Sequence, residues 1–309
     1  MGKIAFVFAG QGAQKPGMGK ELAESSKAAE SVFMKADEVR NGTMNQCFNS
    51  TQEELSETRN TQPCVYTVDL AVAEALKEQG IIPDAVAGYS LGELAALAYA
   101  DAYSYEDGLK LVSKRGQLMQ EASEKHDTGM AAILKLSDEK IEELCQGFDK
   151  IFPVNFNCNG QVTVAGDREQ LTAFAQIVKE EGGLPRILQV SGGFHSPYMN
   201  EAGEEFEKFI AEQEICSTSI PVYSNRTSKE YPADSGEMKE LLVEQITNPI
   251  RWKTLIENMI SQGVDTFVEV GPGTALTKMI TRISKDITML NVCDMETLTE
   301  TVERIKSNG

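Results

Sequence analysis

Histidine is almost absent from this chain: 309 residues hold two, His126 and His195, beside a single tryptophan. Any imidazole chemistry is therefore confined to two positions. Cysteine is sparse and scattered over Cys47, Cys64, Cys145, Cys158, Cys216 and Cys293, with no C-x-x-C pair. That dispersal speaks against a metal site or a disulfide framework and for free thiols in the cytoplasm. Positive charge is in deficit, 29 Lys and Arg against 47 Asp and Glu, for a net charge of −18. Neither nucleic acid nor an anionic membrane surface is expected as a partner of so acidic a chain. No apolar run approaches the roughly 20 residues of a membrane span. The opening Lys3-Ile4-Ala5-Phe6-Val7-Phe8 is too short, too β-branched and too aromatic for a signal peptide and reads as a first strand. Phe6 stands where an N-myristoylation signal needs Ser or Thr. With 41% hydrophobic and 25% charged residues the composition is that of an ordinary globular protein, long enough for a large α/β domain carrying an insertion.

The most informative segment is Gly88-Tyr89-Ser90-Leu91-Gly92. Ala85-Val86-Ala87 before it resembles a buried strand end, and Glu93-Leu94-Ala95-Ala96-Leu97-Ala98 after it is built of helix formers. A serine on a strand–turn–helix junction needs glycine two residues to either side, because a Cβ there would meet the neighbouring strand or helix. The turn lifts the hydroxyl clear of the sheet and aims the first helical N–H groups at the group it attacks. Ser90 is therefore the candidate nucleophile; the bland alternative is a helix-cap serine.

Residues 1 to about 124 alternate short apolar runs with amphipathic helices, as in a parallel α/β sheet. The pattern then changes. Met130–Leu136 reads as a strand, and Ser137 caps a helix. Pro153–Asn157 and Gln161–Ala165 form a hairpin turning at Asn159-Gly160, a helix covers about 168–181, and Pro185–Val190 closes the unit as a strand. Strand–helix–strand–strand–helix–strand is the ferredoxin-like order. The expected fold is thus an α/β-hydrolase-like domain with a parallel sheet (1–124 and 194–309), interrupted by a small ferredoxin-like α+β domain (125–193).

A serine needs a base. His126 lies in the polar segment Glu124-Lys125-His126-Asp127 and reads as solvated, whereas His195 follows Gly192-Gly193, a loop able to press a side chain against another backbone. His195 is the expected base, with a pH–rate limb near the ordinary histidine value of about 6.5. A carboxylate third member is not identifiable by spacing. The helix capped by Ser104 carries Leu111, Leu118 and Met119 on one face, and Arg115 falls on that face while Lys110, Lys114, Gln117 and Glu121 take the polar side. An inward guanidinium must meet an anion, either an internal carboxylate or a substrate carboxylate held bidentately. Gly10-Gln11-Gly12-Ala13 fails both phosphate-loop fingerprints, since Lys15 breaks one and Met18 the other. It can instead offer a backbone N–H that completes an oxyanion hole with that of Leu91.

Together these residues resemble the malonyl-CoA:acyl carrier protein transacylases. The likeness runs through Phe8–Gln14, Gly17-Met18-Gly19, Thr61-Gln62-Pro63, Gly88–Glu93, Arg115-Gly116, Gln161–Gly166, Phe194–Pro197, Asn248-Pro249 and Glu269–Gly273, nearly the whole chain. The resemblance implies that Ser90 is acylated, that His195 is its base, and that Gln11 and Leu91 supply the oxyanion N–H groups. It implies that Arg115 holds the malonyl carboxylate and that a backbone carbonyl, matched to Gln245, orients the histidine. Gln62, Asn248, Tyr89 and Phe194 would line the pocket or support His195, phenylalanine before the base being usual in malonyl-selective members. Malonyl-CoA and holo acyl carrier protein are the implied partners, in fatty acid biosynthesis, with no metal and no permanently bound cofactor; coenzyme A enters as the substrate thioester. Two departures stand out: Tyr89 replaces a histidine and Ala13 a serine. Tyr89 is expected to line the pocket and bear on acyl selectivity without abolishing activity. A rim of Arg186, Lys179, Lys278 and Arg282 would have to offset the acidic charge for an acidic carrier. The alternatives are a serine esterase or thioesterase on the same dyad, or an acyltransferase of a related polyketide pathway.

Overall fold

The computed structural model describes residues 2–190 and 192–308; Ser191, in the loop before His195, lies outside them. Among these residues nine strands form: β1 (Lys3–Phe8), β2 (Ala85–Gly88), β3 (Thr128–Leu134), β4 (Ile151–Cys158), β5 (Gln161–Asp167), β6 (Leu184–Ile187), β7 (Val222–Tyr223), β8 (Val264–Val270) and β9 (Thr288–Val292).

The first sheet runs β7-β2-β1-β8-β9 with every pair parallel. β1 can be apolar throughout because both faces are covered. Phe6 and Phe8 pack against Tyr99 of the helix Leu91–Tyr99, in one apolar cluster, while Ala5 and Val7 belong to a second cluster with Trp252, Leu255 and Ile256. Successive strands build outward from β1 in both directions, so ligands are expected at the carboxyl ends of the strands, near the point where the winding reverses. Ser90 follows β2 there, and Gln11 follows β1.

The second sheet is antiparallel, in the order β4-β5-β3-β6, with the helices Asp138–Cys145 and Arg168–Glu180 packed against it. This is the ferredoxin-like topology the sequence predicts. The strand ends differ. β3 stops at Leu134 rather than Leu136, because Lys135 turns to φ +71° and donates its N–H to the Gly160 carbonyl. β6 ends at Ile187, although Leu188 still donates to Met130. The hairpin turns at Asn159-Gly160 with φ +68° at Gly160.

Ile250, between the helices Ser235–Thr247 and Trp252–Ser261, bridges to β4: its N–H donates to the Val154 carbonyl and its carbonyl accepts from the Phe156 N–H. Beside it lies an irregularity in β4 at Asn155, which lines the same cavity as Ser90. Among the described residues no helix is long and apolar enough to cross a membrane, and no group of three or more metal-ligating side chains assembles.

Candidate active site

Ser90 stands at φ +55°, ψ −107°, a backbone state that a residue with a side chain adopts only when its surroundings enforce it. Two features enforce it here. A Cβ on Gly88 would lie 1.9 Å from the Gly92 carbonyl, and one on Gly92 would lie 2.4 Å from the Phe8 oxygen, so the helix start and the strand approach at a distance only glycine permits. Asn225, fully buried, then clamps the turn: its Oδ1 accepts from the Ser90 N–H at 2.8 Å and its Nδ2 donates to the Gly88 carbonyl at 2.7 Å.

The loop after Gly192-Gly193 brings His195 over the serine. A Cβ on Gly192 would fall 2.4 Å from Ser123, so the glycine is needed for that close passage. His195 Nε2 lies 2.8 Å from Ser90 Oγ, and Nδ1 lies 2.8 Å from the carbonyl oxygen of Gln245. A carbonyl only accepts, so Nδ1 carries the proton and Nε2 is left to accept from the serine hydroxyl. Burial pushes the imidazole down to about 3, with the Arg115 charge adding to the effect and the Gln245 carbonyl opposing it. The ring is therefore neutral across the physiological range, with Nε2 free to accept a proton. His126, by contrast, is exposed and stacks near Tyr198.

Arg115 is fully buried, as its place on the apolar face of the helix Tyr105–Glu124 requires. Its partners are neutral: Gln62 Oε1 at 2.8 Å, Gln245 Oε1 at 2.7 Å and Ser90 Oγ at 3.2 Å, with Nε unpartnered. Burial lowers it to about 10, against the opposing field of Glu93, so it remains a cation. Of the two sequence alternatives, an internal carboxylate in contact is not what the structure holds. A guanidinium on borrowed amide oxygens, touching the nucleophile, is free to exchange one of them for a carboxylate.

Ser90 and His195 open onto a cavity of about 240 Å³ between the two sheets; Arg115 is not among the residues that line it. Gln11, Ser90, His195 and Phe194 line it together with Asn155, Asn157 and Thr163 of the second sheet. Tyr89 lines it too, as expected, its hydroxyl accepting from Asn155 and donating to Asn157, each at 2.6 Å. Leu91 is the first residue of the helix after Ser90, so its N–H is one of those with no partner inside the helix. Gln62 and Asn248 do not line the cavity: Gln62 Oε1 accepts from Arg115, and the Asn248 amide donates to the Glu244 carbonyl at the end of the helix that carries Gln245. Lys278 and Arg282 border an adjoining cleft with Gly12 and Gly273, whereas Lys179, on the helix Arg168–Glu180, and Arg186, on the edge strand β6, are exposed.

Three buried residues escaped sequence reasoning: Asn225, Glu93 and Tyr231. Glu93 accepts from the Asn225 N–H at 2.7 Å and from the Tyr231 hydroxyl. Its signal was a lone charge in an otherwise apolar helix; Asn225 and Tyr231, in irregular segments, left none.

Comparison with known proteins places the chain in a family. Residues 5–303 match the acyl transferase domain family. A malonyl CoA-acyl carrier protein transacylase of Bacillus subtilis is 37% identical, the alignment covering 100% of this chain and 99% of the relative. The crystal structure of a malonyl CoA-acyl carrier protein transacylase from Clostridium perfringens superposes with a TM-score of 0.95 at 36% identity, covering 99% of this chain and 98% of its own. A malonyl-transacylase solved in complex with a type II PKS acyl-carrier protein superposes at 0.94, with 31% identity over 98% of this chain and 99% of its own. The motif resemblance is thereby borne out, and the chain belongs to the acyl transferase family, that of the malonyl CoA-acyl carrier protein transacylases.

Proposed function

We propose that this protein transfers malonyl from malonyl-CoA to the phosphopantetheine thiol of holo acyl carrier protein, through an ester on Ser90, in the cytoplasm and for fatty acid biosynthesis. His195 Nε2 takes the hydroxyl proton as Ser90 Oγ attacks the thioester carbonyl. The oxyanion is received by the backbone N–H groups of Gln11 and Leu91. As the tetrahedral intermediate collapses, His195 returns the proton to the departing coenzyme A sulfur. The carrier thiol then gives its proton to His195, attacks the ester, and leaves Ser90 free. Throughout, Arg115 holds the malonyl carboxylate in place of an amide oxygen. No metal and no resident cofactor takes part.

The observation that carries this reading is a buried cation with neutral partners, one of whose donors lies 3.2 Å from the nucleophile. A serine esterase or thioesterase could use the same dyad, yet would have no use for that cation. The separating experiment follows the fate of the acyl-enzyme. Rapid discharge by holo acyl carrier protein and slow discharge by water are expected; equally rapid loss in water alone would make it a hydrolase.

A further inference from the structure

The helix that begins at Leu91 is apolar except for Glu93, whose carboxyl group is fully buried one turn behind the nucleophile, its own N–H donating to the Ser90 carbonyl at 3.1 Å. None of its atoms enters the mechanism above. Through the Asn225 N–H it braces the residue that clamps Ser90. It also faces Arg115 electrostatically, both side chains being fully buried around the Ser90 turn. Gln245 stands between the two, its amide oxygen on Arg115 Nη2 and its amide nitrogen on the Ser90 carbonyl and turned towards Glu93. Of the carboxylates among the described residues, Glu93 is the one whose field bears most on the guanidinium.

A buried cation balanced by one buried anion becomes a group of net negative charge once a substrate carboxylate joins it, and like charges confined together drive one of them to protonate. We propose that Glu93 is the resident counter-ion of Arg115 in the free enzyme, and that it takes a proton from solvent when the free carboxylate of the acyl group reaches the guanidinium. The inference rests on the reading that Arg115 receives that carboxylate. In balance, Glu93 carboxylate plus one proton becomes the neutral acid, whereas serine and thioester exchanging to ester and free thiol moves no net proton while the thiol stays protonated. Loading of an acyl group without a free carboxylate has no reason to take up a proton.

The surroundings suit this role. Burial pushes Glu93 up to about 7, opposed by its bonds to Tyr231, Asn225 and Gln245 and by the charge of Arg115. The other titratable groups facing it are Tyr231 and Tyr103, both held well above the usual tyrosine value and hence neutral, and Arg115, which stays charged. Glu93 is the member of this group that titrates near neutrality.

The test compares pH profiles of kcat/KM for malonyl-CoA and acetyl-CoA in the wild type, Glu93→Gln and Tyr231→Phe, with proton uptake during acylation read by an indicator dye. In the wild type the malonyl profile should fall about tenfold per pH unit above about pH 7, while the acetyl profile stays level there. Glu93→Gln should lose that limb, its amide oxygen accepting from Asn225 and its nitrogen donating to a turned Tyr231. Tyr231→Phe, which removes a donor to the carboxylate, should move the limb to higher pH, so the inference stays testable should Glu93→Gln fold poorly. Parallel profiles for the two substrates, or no proton uptake with malonyl, would overturn it. A Glu93→Gln variant that weakens both substrates equally at every pH would reduce Glu93 to a brace for the turn. Should Arg115→Ala leave the malonyl-to-acetyl ratio unchanged, the carboxylate reading fails first. A ratio that depends on Arg115, with no malonyl-specific limb, sinks the Glu93 role alone.

Discussion

The main-chain oxygen of Gln245 lies 2.8 Å from Nδ1 of His195, where a three-member triad would place a carboxylate. A neutral carbonyl fixes the tautomer as a carboxylate does, but its pull towards the imidazolium is outweighed by burial and, after it, by the Arg115 charge. The acid limb attributable to His195 should therefore fall near pH 3, not at the 6.5 that the sequence alone suggests. The sign follows from the depressed value: above about 3 the ring is neutral and active as a base, and activity is lost only as pH drops through that point. Stability moves the same way, since between about 6.5 and 3 the unfolded chain binds a proton that the folded one does not. A pH profile of acetyl transfer, free of any substrate carboxylate, checks this; a limb near 6.5 would show the ring to be better solvated than the structure allows.

Replacing His195 with alanine should lower the acylation rate by roughly a hundredfold or more, the usual scale for loss of a general base. His126→Ala should change little, because that ring is exposed and remote from Ser90. Single-turnover acylation of both variants decides between them, and a larger loss in the His126 variant would reverse the assignment.

Arg115→Ala should reduce malonyl transfer by about ten- to a hundredfold, the equivalent of about 1.5–3 kcal/mol for a bond to a charged partner. Acetyl transfer should rise relative to it, since acetyl leaves a desolvated guanidinium unpaired. Arg115→Lys keeps the charge and loses the planar two-point grip, so partial recovery is expected. The observable is kcat/KM for both thioesters. An unchanged ratio accompanied by a collapse in stability would assign Arg115 to structure alone.

Gly88→Ala should cost at least about 4 kcal/mol or prevent folding, because its Cβ would sit 1.9 Å from backbone that cannot move without dismantling the turn. Gly80→Ala is the control: φ is +80° but nothing lies within 4 Å, so only the left-handed strain of about 1–2 kcal/mol applies. Chemical denaturation of the two variants should separate them clearly. Equal costs would mean that the strand–helix approach is looser than described.

Tyr89→Phe removes the hydroxyl that joins Asn155 to Asn157 and so links the turn to the second sheet. The variant should lose about 1–3 kcal/mol, a melting temperature lower by a few degrees, while malonyl transfer persists within about tenfold. Loss of transfer without loss of stability would instead place the phenol in the chemistry.

Much of this site was legible because its requirements are local. Gly88 and Gly92 announce a close backbone approach, the phase of one helix turns Arg115 inward, and the scarcity of histidine leaves His195 nearly by elimination. The rest depends on contacts between distant parts of the chain. Asn225 reaches Ser90 across 135 positions, from a segment with no periodic pattern to mark it. Glu93 reads as a helix residue until the chain folds Tyr231 and Asn225 over it. Asn248, read from a motif, lies away from the cavity, its amide bonded to the Glu244 carbonyl at the end of the helix that carries Gln245. Strand ends slipped where a single residue changed its backbone, as Lys135 did at the end of β3.

The central claim, that malonyl is carried on Ser90, is tested most directly by the intact mass of the protein after brief exposure to malonyl-CoA. Wild type should gain the mass of one malonyl group, lose it on addition of holo acyl carrier protein, and yield a fragment map that places it on Ser90. Ser90→Ala, a small change in a buried turn, should fold and gain nothing. A malonyl adduct of equal yield on the alanine variant, or one mapped to any other residue, would contradict the account.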